Sequence, residues 1–346
     1  MATPPKSPAV LAYANPIFDG YFADPAVLRT ARGDYYAYGT GHGPERDGRQ
    51  FPILHSSDFV HWTYVGGALP PLRREGGEEF TAYWAPEVAE RDGQYYLYYS
   101  AATGHRDETH RLRVAVSDRP AGPFQDLGRI PLTGEFADRF CIDGHPFRDP
   151  ADGRWYLFFG TDFFTDRVGT GTAAVPLAHD MRTPAGEAVP VLRPSADWMI
   201  YERNRTLYGK VWSAWHTVEG PFVWYHADAS GRGRYYCFYS GGNWQTPEYG
   251  VGYGVAETVL GPYRDEWNRE GPSVLRGVEG KVLGPGHNSV TVGPDGKTEF
   301  LVYHAWDPGR TARRMFIDPL TWENREGFPH PRCLGPTLGK SGAPPT

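Results

Sequence analysis

Asp34-Tyr-Tyr-Ala-Tyr-Gly-Thr40, Gln94-Tyr-Tyr-Leu-Tyr-Tyr-Ser100, Arg154-Trp-Tyr-Leu-Phe-Phe-Gly160, Arg234-Tyr-Tyr-Cys-Phe-Tyr-Ser240 and Thr298-Glu-Phe-Leu-Val-Tyr-His304 are five versions of one short aromatic strand. They begin at 34, 94, 154, 234 and 298, so the steps are 60, 60, 80 and 64 residues. Repetition at such a period, with several strands per repeat, predicts an all-β fold, a five-bladed β-propeller with one blade per unit. Turn pairs such as Asp92-Gly93 and Asp152-Gly153 stand just before the aromatic strands, as hairpins require. No stretch reads as an amphipathic helix, so helix content is expected to be low.

The repeats fill the 346-residue chain without an internal linker, which predicts one domain over 15–335. Segments 1–14 and 336–346 read as loose terminal arms. With 43 Gly and 32 Pro the chain has many turns, and 15% aromatic residues supply large faces to bury. A formal net charge of -6 and the absence of any Lys/Arg cluster beyond doublets argue against a nucleic-acid partner. The three cysteines, Cys141, Cys237 and Cys333, form no C-x-x-C pair, which argues against a zinc site or a disulfide framework. Cys237, inside an aromatic strand, reads as a small buried apolar residue. No run of about 20 apolar residues could span a membrane. The proline-rich start lacks the apolar core of a signal peptide, so a cytoplasmic location is expected, a trimmed secretion signal being the alternative.

In a propeller the first strand of each blade lines the central channel, so matching residues of the five units converge. The first-strand segments read Phe22-Ala-Asp24-Pro25, Trp84-Ala-Pro-Glu87, Ile142-Asp143-Gly-His145-Pro146, Val218-Glu219-Gly-Pro221 and Gly286-His287-Asn288-Ser289. The acids precede their aromatic strands by ten, seven, eleven and fifteen residues, and His287 by eleven, so the register looks loose. Carboxylates crowded around one channel raise each other's pKa, and burial raises it further. Division of labour between a protonated and an ionised carboxyl group is what glycosidic bond cleavage needs. A lone Asp before Pro, or Glu before Gly, would read as turn chemistry. Asp24, Asp143 and Glu219 at corresponding places in three units read instead as one catalytic set. Glu87 is the weaker candidate, equally suited to face outward or to serve as a strand-end partner.

Together, Ala23-Asp24-Pro25, Trp84-Ala-Pro-Glu87, Asp143-Gly-His-Pro146, Glu219-Gly-Pro221 and Gly286-His287-Asn-Ser289 resemble the ordered motifs of glycoside hydrolase family 43. The later Arg313-Arg-Met-Phe-Ile-Asp-Pro-Leu-Thr-Trp322 with Gly327-Phe-Pro329 is similar to that family too. The resemblance implies inverting hydrolysis, with Asp24 as general base, Asp143 as the residue that orients and tunes the acid, and Glu219 as general acid. It further implies a channel ion, calcium or another metal, linked to His287. Calcium normally takes oxygen ligands, so water would have to complete such a shell. The implied substrates are oligosaccharides or polysaccharides of arabinose or xylose, from hemicellulose or pectic arabinan. An α-L-arabinofuranosidase is expected first, with β-xylosidase and endo-arabinanase as alternatives. A non-catalytic carbohydrate-binding propeller and a retaining fructan- or sucrose-type hydrolase are the competing classes. Trp84, Phe22, Trp244 and Trp215 are candidates to stack on sugar, and Arg313 is a candidate to pair with a catalytic carboxylate or with sugar hydroxyls. Insertions at 41–51, 70–82, 161–172 and 194–216 are expected to shape the pocket.

Overall fold

The computed structural model describes residues 12–228 and 230–341. Among them there is no α-helix. Four single-turn 3-10 segments interrupt an otherwise all-β chain, and no helix is long and apolar enough to cross a membrane. Three antiparallel sheets have four strands each; they start at Ala23–Arg29, Phe80–Arg91 and Leu283–Val292. An eight-stranded sheet holds two more strand groups, which start at Cys141–Arg148 and Lys210–Ala227. These two are joined only through a short parallel bridge, Gly169 to His216 and Thr170 to Thr217.

The aromatic repeats are the second strand of every group: Tyr35–Thr40, Gln94–Thr103, Trp155–Phe163, Gly233–Gly241 and Glu299–Trp306. Side chains alternate along a strand, so each repeat feeds two cores. Tyr35 and Ala37 pack toward the last group, whereas Tyr38 packs toward the second. Leu97 and Tyr99 face back while Tyr98 faces forward; Leu157 and Phe159 face back while Tyr156 and Phe158 face forward. The pattern continues with Cys237 and Tyr239 against Tyr236 and Phe238, and with Phe300 and Val302 against Leu301 and Tyr303. Five cores between neighbouring groups result, the last joining the fifth group to the first. The five first strands likewise pack each against the next in a closed ring. Buried tyrosines send their hydroxyls outward to bond partners, as burial demands: Tyr38 to Pro120 O, Tyr98 to Met181 O and Tyr236 to Pro329 O. Cys237 is fully buried, as its place in the strand predicts, and all three cysteines are free.

The terminal segments differ from the expectation of loose arms. Tyr13–Asn15 pairs antiparallel with Gly339–Ser341. Asn15 donates through Nδ2 to Ile317 O and accepts from Ile317 N, which ties the segment to the fifth group. Residues 1–11 and 342–346 lie outside the described residues. The reason for the difference is backbone satisfaction: the two extended terminal segments pair with each other as a two-stranded sheet.

Candidate active site

Each first strand carries a bulge at the same place. Two residues stand against one between Ala23 and Ala26, Trp84 and Glu87, Ile142 and His145, Glu219 and Phe222, and Gly286 and Ser289. The first bulged residue is left-handed in every case: Asp24 (φ 50°), Ala85 (48°), Asp143 (57°), Gly220 (58°) and His287 (49°). The register that looked loose in sequence is therefore strict once the bulges are aligned. Bulges re-aim side chains beside functional sites, and here Asp24, Asp143 and His287 occupy equivalent points of the ring. Glu219 stands one residue before its bulge, level with Ala23, Trp84, Ile142 and Gly286.

The bulged backbone needs partners for its N–H groups. The last residue of each quoted repeat pairs with the residue just before the bulge and, in three of five cases, supplies one to the next group. Thr40 Oγ1 accepts from Ala85 N (2.8 Å), Ser240 Oγ from His287 N (2.7 Å) and His304 Nδ1 from Asp24 N (3.0 Å). Gly160 has no side chain to offer. In its place Asp143 Oδ2 accepts from Gly220 N at 2.9 Å. Glycine suits position 220, where a Cβ would lie 3.2 Å from the His287 ring on a left-handed residue and would push that ring aside.

Asp24, Asp143, Glu219 and His287 line one cavity of about 460 Å³, together with Trp84, Trp244, Tyr249 and Arg313. That is an ordinary size for a small-ligand site. A larger cavity of about 680 Å³ opens at the opposite end of the first strands and contains none of the three acids. The chemistry belongs to the first.

The carboxyl groups are not alike. Burial works against the Asp24 charge, but Arg313 Nη1 at 3.2 Å and His287 Nδ1 at 3.5 Å outweigh it, and its pKa is held well below the usual carboxylate range. Every one of these contacts falls on Oδ1, which leaves Oδ2 unengaged by them. His304 is neutral, since burial pushes it down to about 4, and so its Nδ1 can accept from Asp24 N. Glu219 moves the other way. Burial first, then the charge of Asp143, raises it to about 7. Its Oε1 accepts from the Tyr249 hydroxyl at 2.8 Å. Asp143 is raised to about 6 by burial, with Asp24 adding to the effect and His287 opposing it. For His287 burial opposes the cation, but the surrounding carboxylates, Asp24 foremost, win and its pKa is raised.

Arg313, paired with Asp24, lies against a cluster of aromatic rings. Its guanidinium carbon lies 4.4 Å from the Trp244 ring and 5.8 Å from that of Trp306, and its Nη2 donates to the Tyr21 hydroxyl at 2.7 Å. Arg314 points elsewhere, to Asp19 and Asp307. Trp84 lies in the cavity wall, stacked on His110 at 3.7 Å. Two expected stacking residues are placed otherwise. Phe22 is fully buried in the core between the fifth and first groups, because it precedes the bulge by two and points into the sheet interface. Trp215 is 1% exposed and lines a smaller neighbouring cavity, not the one that holds the three acids. Glu87 turns away from the acids and accepts from or donates to His145 Nδ1 at 2.7 Å, as a strand-end partner. Tyr249, His304 and Tyr21 were not legible as site residues, since nothing in their local sequence marks them.

The residues present do not build a calcium cage. Among the described residues no three His, Cys, Asp or Glu side chains converge to hold a metal ion. The expected ion would have only His287 from this set, with water completing its shell, and the carboxylates around His287 raise its pKa.

One carboxyl group kept ionised and another protonated in the same cavity is what glycosidic bond hydrolysis needs, and the family match makes this chain a glycoside hydrolase. It belongs to glycosyl hydrolases family 43, whose pattern its residues 13–329 match. A thermostable family-43 glycoside hydrolase of known crystal structure is 31% identical, covers 96% of this chain and 98% of its own, and superposes with a TM-score of 0.76. A β-D-galactofuranosidase of Aspergillus niger is 27% identical over 86% of this chain and 78% of its own. An extracellular exo-α-(1→5)-L-arabinofuranosidase of Cellvibrio japonicus is 28% identical over 88% and 85%. The extracellular name of the last overturns the cytoplasmic expectation, which rested on the chain's first residues alone.

Proposed function

We propose that this enzyme is a secreted, inverting hydrolase of α-L-arabinofuranosyl linkages in plant cell-wall polysaccharide, built as a five-bladed propeller. The five cores closed into a ring support one blade per strand group, with the eight-stranded sheet counted as two. Both relatives named above carry furanosidase names, which supports a furanose ring in the cavity.

The observation that carries the catalytic reading is the opposite displacement of Asp24 and Glu219. Asp24 stays ionised at any working pH and offers Oδ2 to a water molecule. It takes a proton from that water as the oxygen attacks the anomeric carbon. Glu219, kept protonated near neutrality, gives its proton to the leaving oxygen on the other side of the sugar. Asp143 acts through Glu219: its charge raises the acid's pKa, and its bond to Gly220 N fixes the strand that bears it. Arg313 holds Asp24 in place and in its charged form. Room for a water between base and sugar is what separates inversion from retention.

Initial rates on the 4-nitrophenyl glycosides of α-L-arabinofuranose, β-D-xylose and β-D-galactofuranose test the substrate. Arabinofuranoside is expected to be cleaved fastest. A preference for xyloside would overturn the furanosyl part of the proposal.

A further inference from the structure

A second cavity of about 200 Å³ adjoins the catalytic one and shares Glu219, Trp84, Ile142 and Trp244 with it, but touches none of Asp24, Asp143, His287 or Arg313. The proton donor stands on the leaving-group side of the scissile bond and the base on the other. Given the roles proposed above, on which this inference rests, a cavity that reaches the acid but not the base lies beyond the leaving oxygen. We infer that it binds the sugar ring released as leaving group, and that Arg205 is its principal specificity residue.

The walls are built for a sugar. Tyr201, Arg205, Leu207, Tyr208 and Trp215 come from the hairpin of Ile200–Leu207 with the start of Lys210–Ala227, which pairs as an extra layer beside the third group. Arg205 lies over the rings of Tyr201 (4.6 Å) and Trp215 (5.4 Å). Its one ion pair among the described residues is Nε to Glu202 at 3.7 Å, its guanidinium donates no hydrogen bond to any described residue, and Asp107 and Asp162 in the same cavity wall feel its charge. A guanidinium fixed by stacking and unspent on protein acceptors is placed to donate to ring hydroxyls. Tyr208 forms another wall, held rigid by donating to the buried Asp162 at 2.7 Å, while Thr170 donates to the other oxygen at 2.9 Å. Tyr208 is 42% exposed and meets the equally exposed Phe164 edge-on, so an aromatic surface continues outward from the cavity. The ligand class is therefore an oligosaccharide with at least one hydroxyl-rich ring on its reducing side, in preference to a glycoside of a simple alcohol or phenol.

The test compares two substrates of one sugar, the 4-nitrophenyl glycoside and the matching linear trisaccharide, for arabinofuranose and for xylose. Arg205→Ala is expected to lose at least tenfold more kcat/KM on the trisaccharide than on the aryl glycoside of whichever sugar the wild type cleaves. Gln245→Ala, on an exposed loop at the cavity rim, is expected to keep the fold and to shift the same ratio in the same direction by a smaller factor. Parallel losses on both substrates, or an unchanged ratio in both variants, would overturn the inference. Failure of the wild type on both sugars would instead contradict the proposed function, and it is seen before any variant is made.

Discussion

Asp143 Oδ2 accepts a hydrogen bond from the backbone N–H of Gly220, the residue that directly follows Glu219, at 2.9 Å. One carboxylate thereby sets both the position and the proton affinity of the other. Asparagine at 143 keeps an acceptor for Gly220 but removes the charge. Asp143→Asn is therefore expected to keep its fold and to move the alkaline limb of the kcat/KM–pH profile, near pH 7 in the wild type, to lower pH. The limb should not fall all the way to an ordinary Glu value, because burial is the larger cause. An unmoved limb would separate Asp143 from the acid.

Glu219→Gln removes the proton donor. General acid catalysis contributes about 10²–10⁴-fold, and the loss should depend on the leaving group. Oligosaccharide cleavage is expected to fall by that order, and cleavage of a dinitrophenyl glycoside, whose leaving group needs no proton, by much less. Equal losses on the two substrates would argue against the acid role.

The same variant should be more stable at high pH. The folded-state pKa of Glu219 is raised, so between about 4.5 and 7 the folded protein binds more protons than the unfolded chain. Stability contributed by this group is present at low pH and is lost as pH rises through that window. At 1.36 kcal/mol per unit the cost at pH 8 is on the order of 3 kcal/mol. Thermal melting at pH 5 and pH 8 should show Glu219→Gln above wild type at pH 8, with the gap narrowing at pH 5.

Arg313→Met leaves Asp24 buried without its leading counter-charge. Its pKa is then expected to rise, and the acid limb of the rate profile, absent from the wild type above pH 4, should enter the measurable range. Arg313→Lys, which keeps the charge but loses the planar group over the Trp244 ring, should restore the limb only in part.

Gly220→Ala places a Cβ on a left-handed residue and against the His287 ring. The conformation alone costs about 1–2 kcal/mol. A lower melting temperature is expected together with a drop in kcat, since the strand next to Glu219 must shift. A drop in melting temperature with kcat intact would show that Glu219 tolerates displacement.

The aromatic repeats carried the fold openly, because period-2 burial on two faces demands a large side chain at nearly every position of those strands. The three acids were legible for a related reason: each is the unusual residue in a first strand that otherwise serves the channel wall. The bulge was not. Its signature is a left-handed backbone at Asp24, Ala85, Asp143, Gly220 and His287, and five different local sequences reach it, only some of them with Gly or Asn nearby. Without the bulge the side-chain direction just upstream is misread, which is how a core residue such as Phe22 passed for a sugar contact. Tyr249 and His304 reach the site from second strands and loops, through contacts that depend on the ring being closed. Arg205 sat within an insertion recognised as pocket-shaping, but its orientation depends on two aromatic rings it stacks against.

The central claim is that Asp24 activates water on one side of the sugar while Glu219 protonates the leaving group on the other. Proton NMR of the first sugar released from an α-L-arabinofuranoside, recorded before mutarotation, tests it most directly. The account expects the β-anomer to appear first, by inversion; initial release of the α-anomer would contradict it.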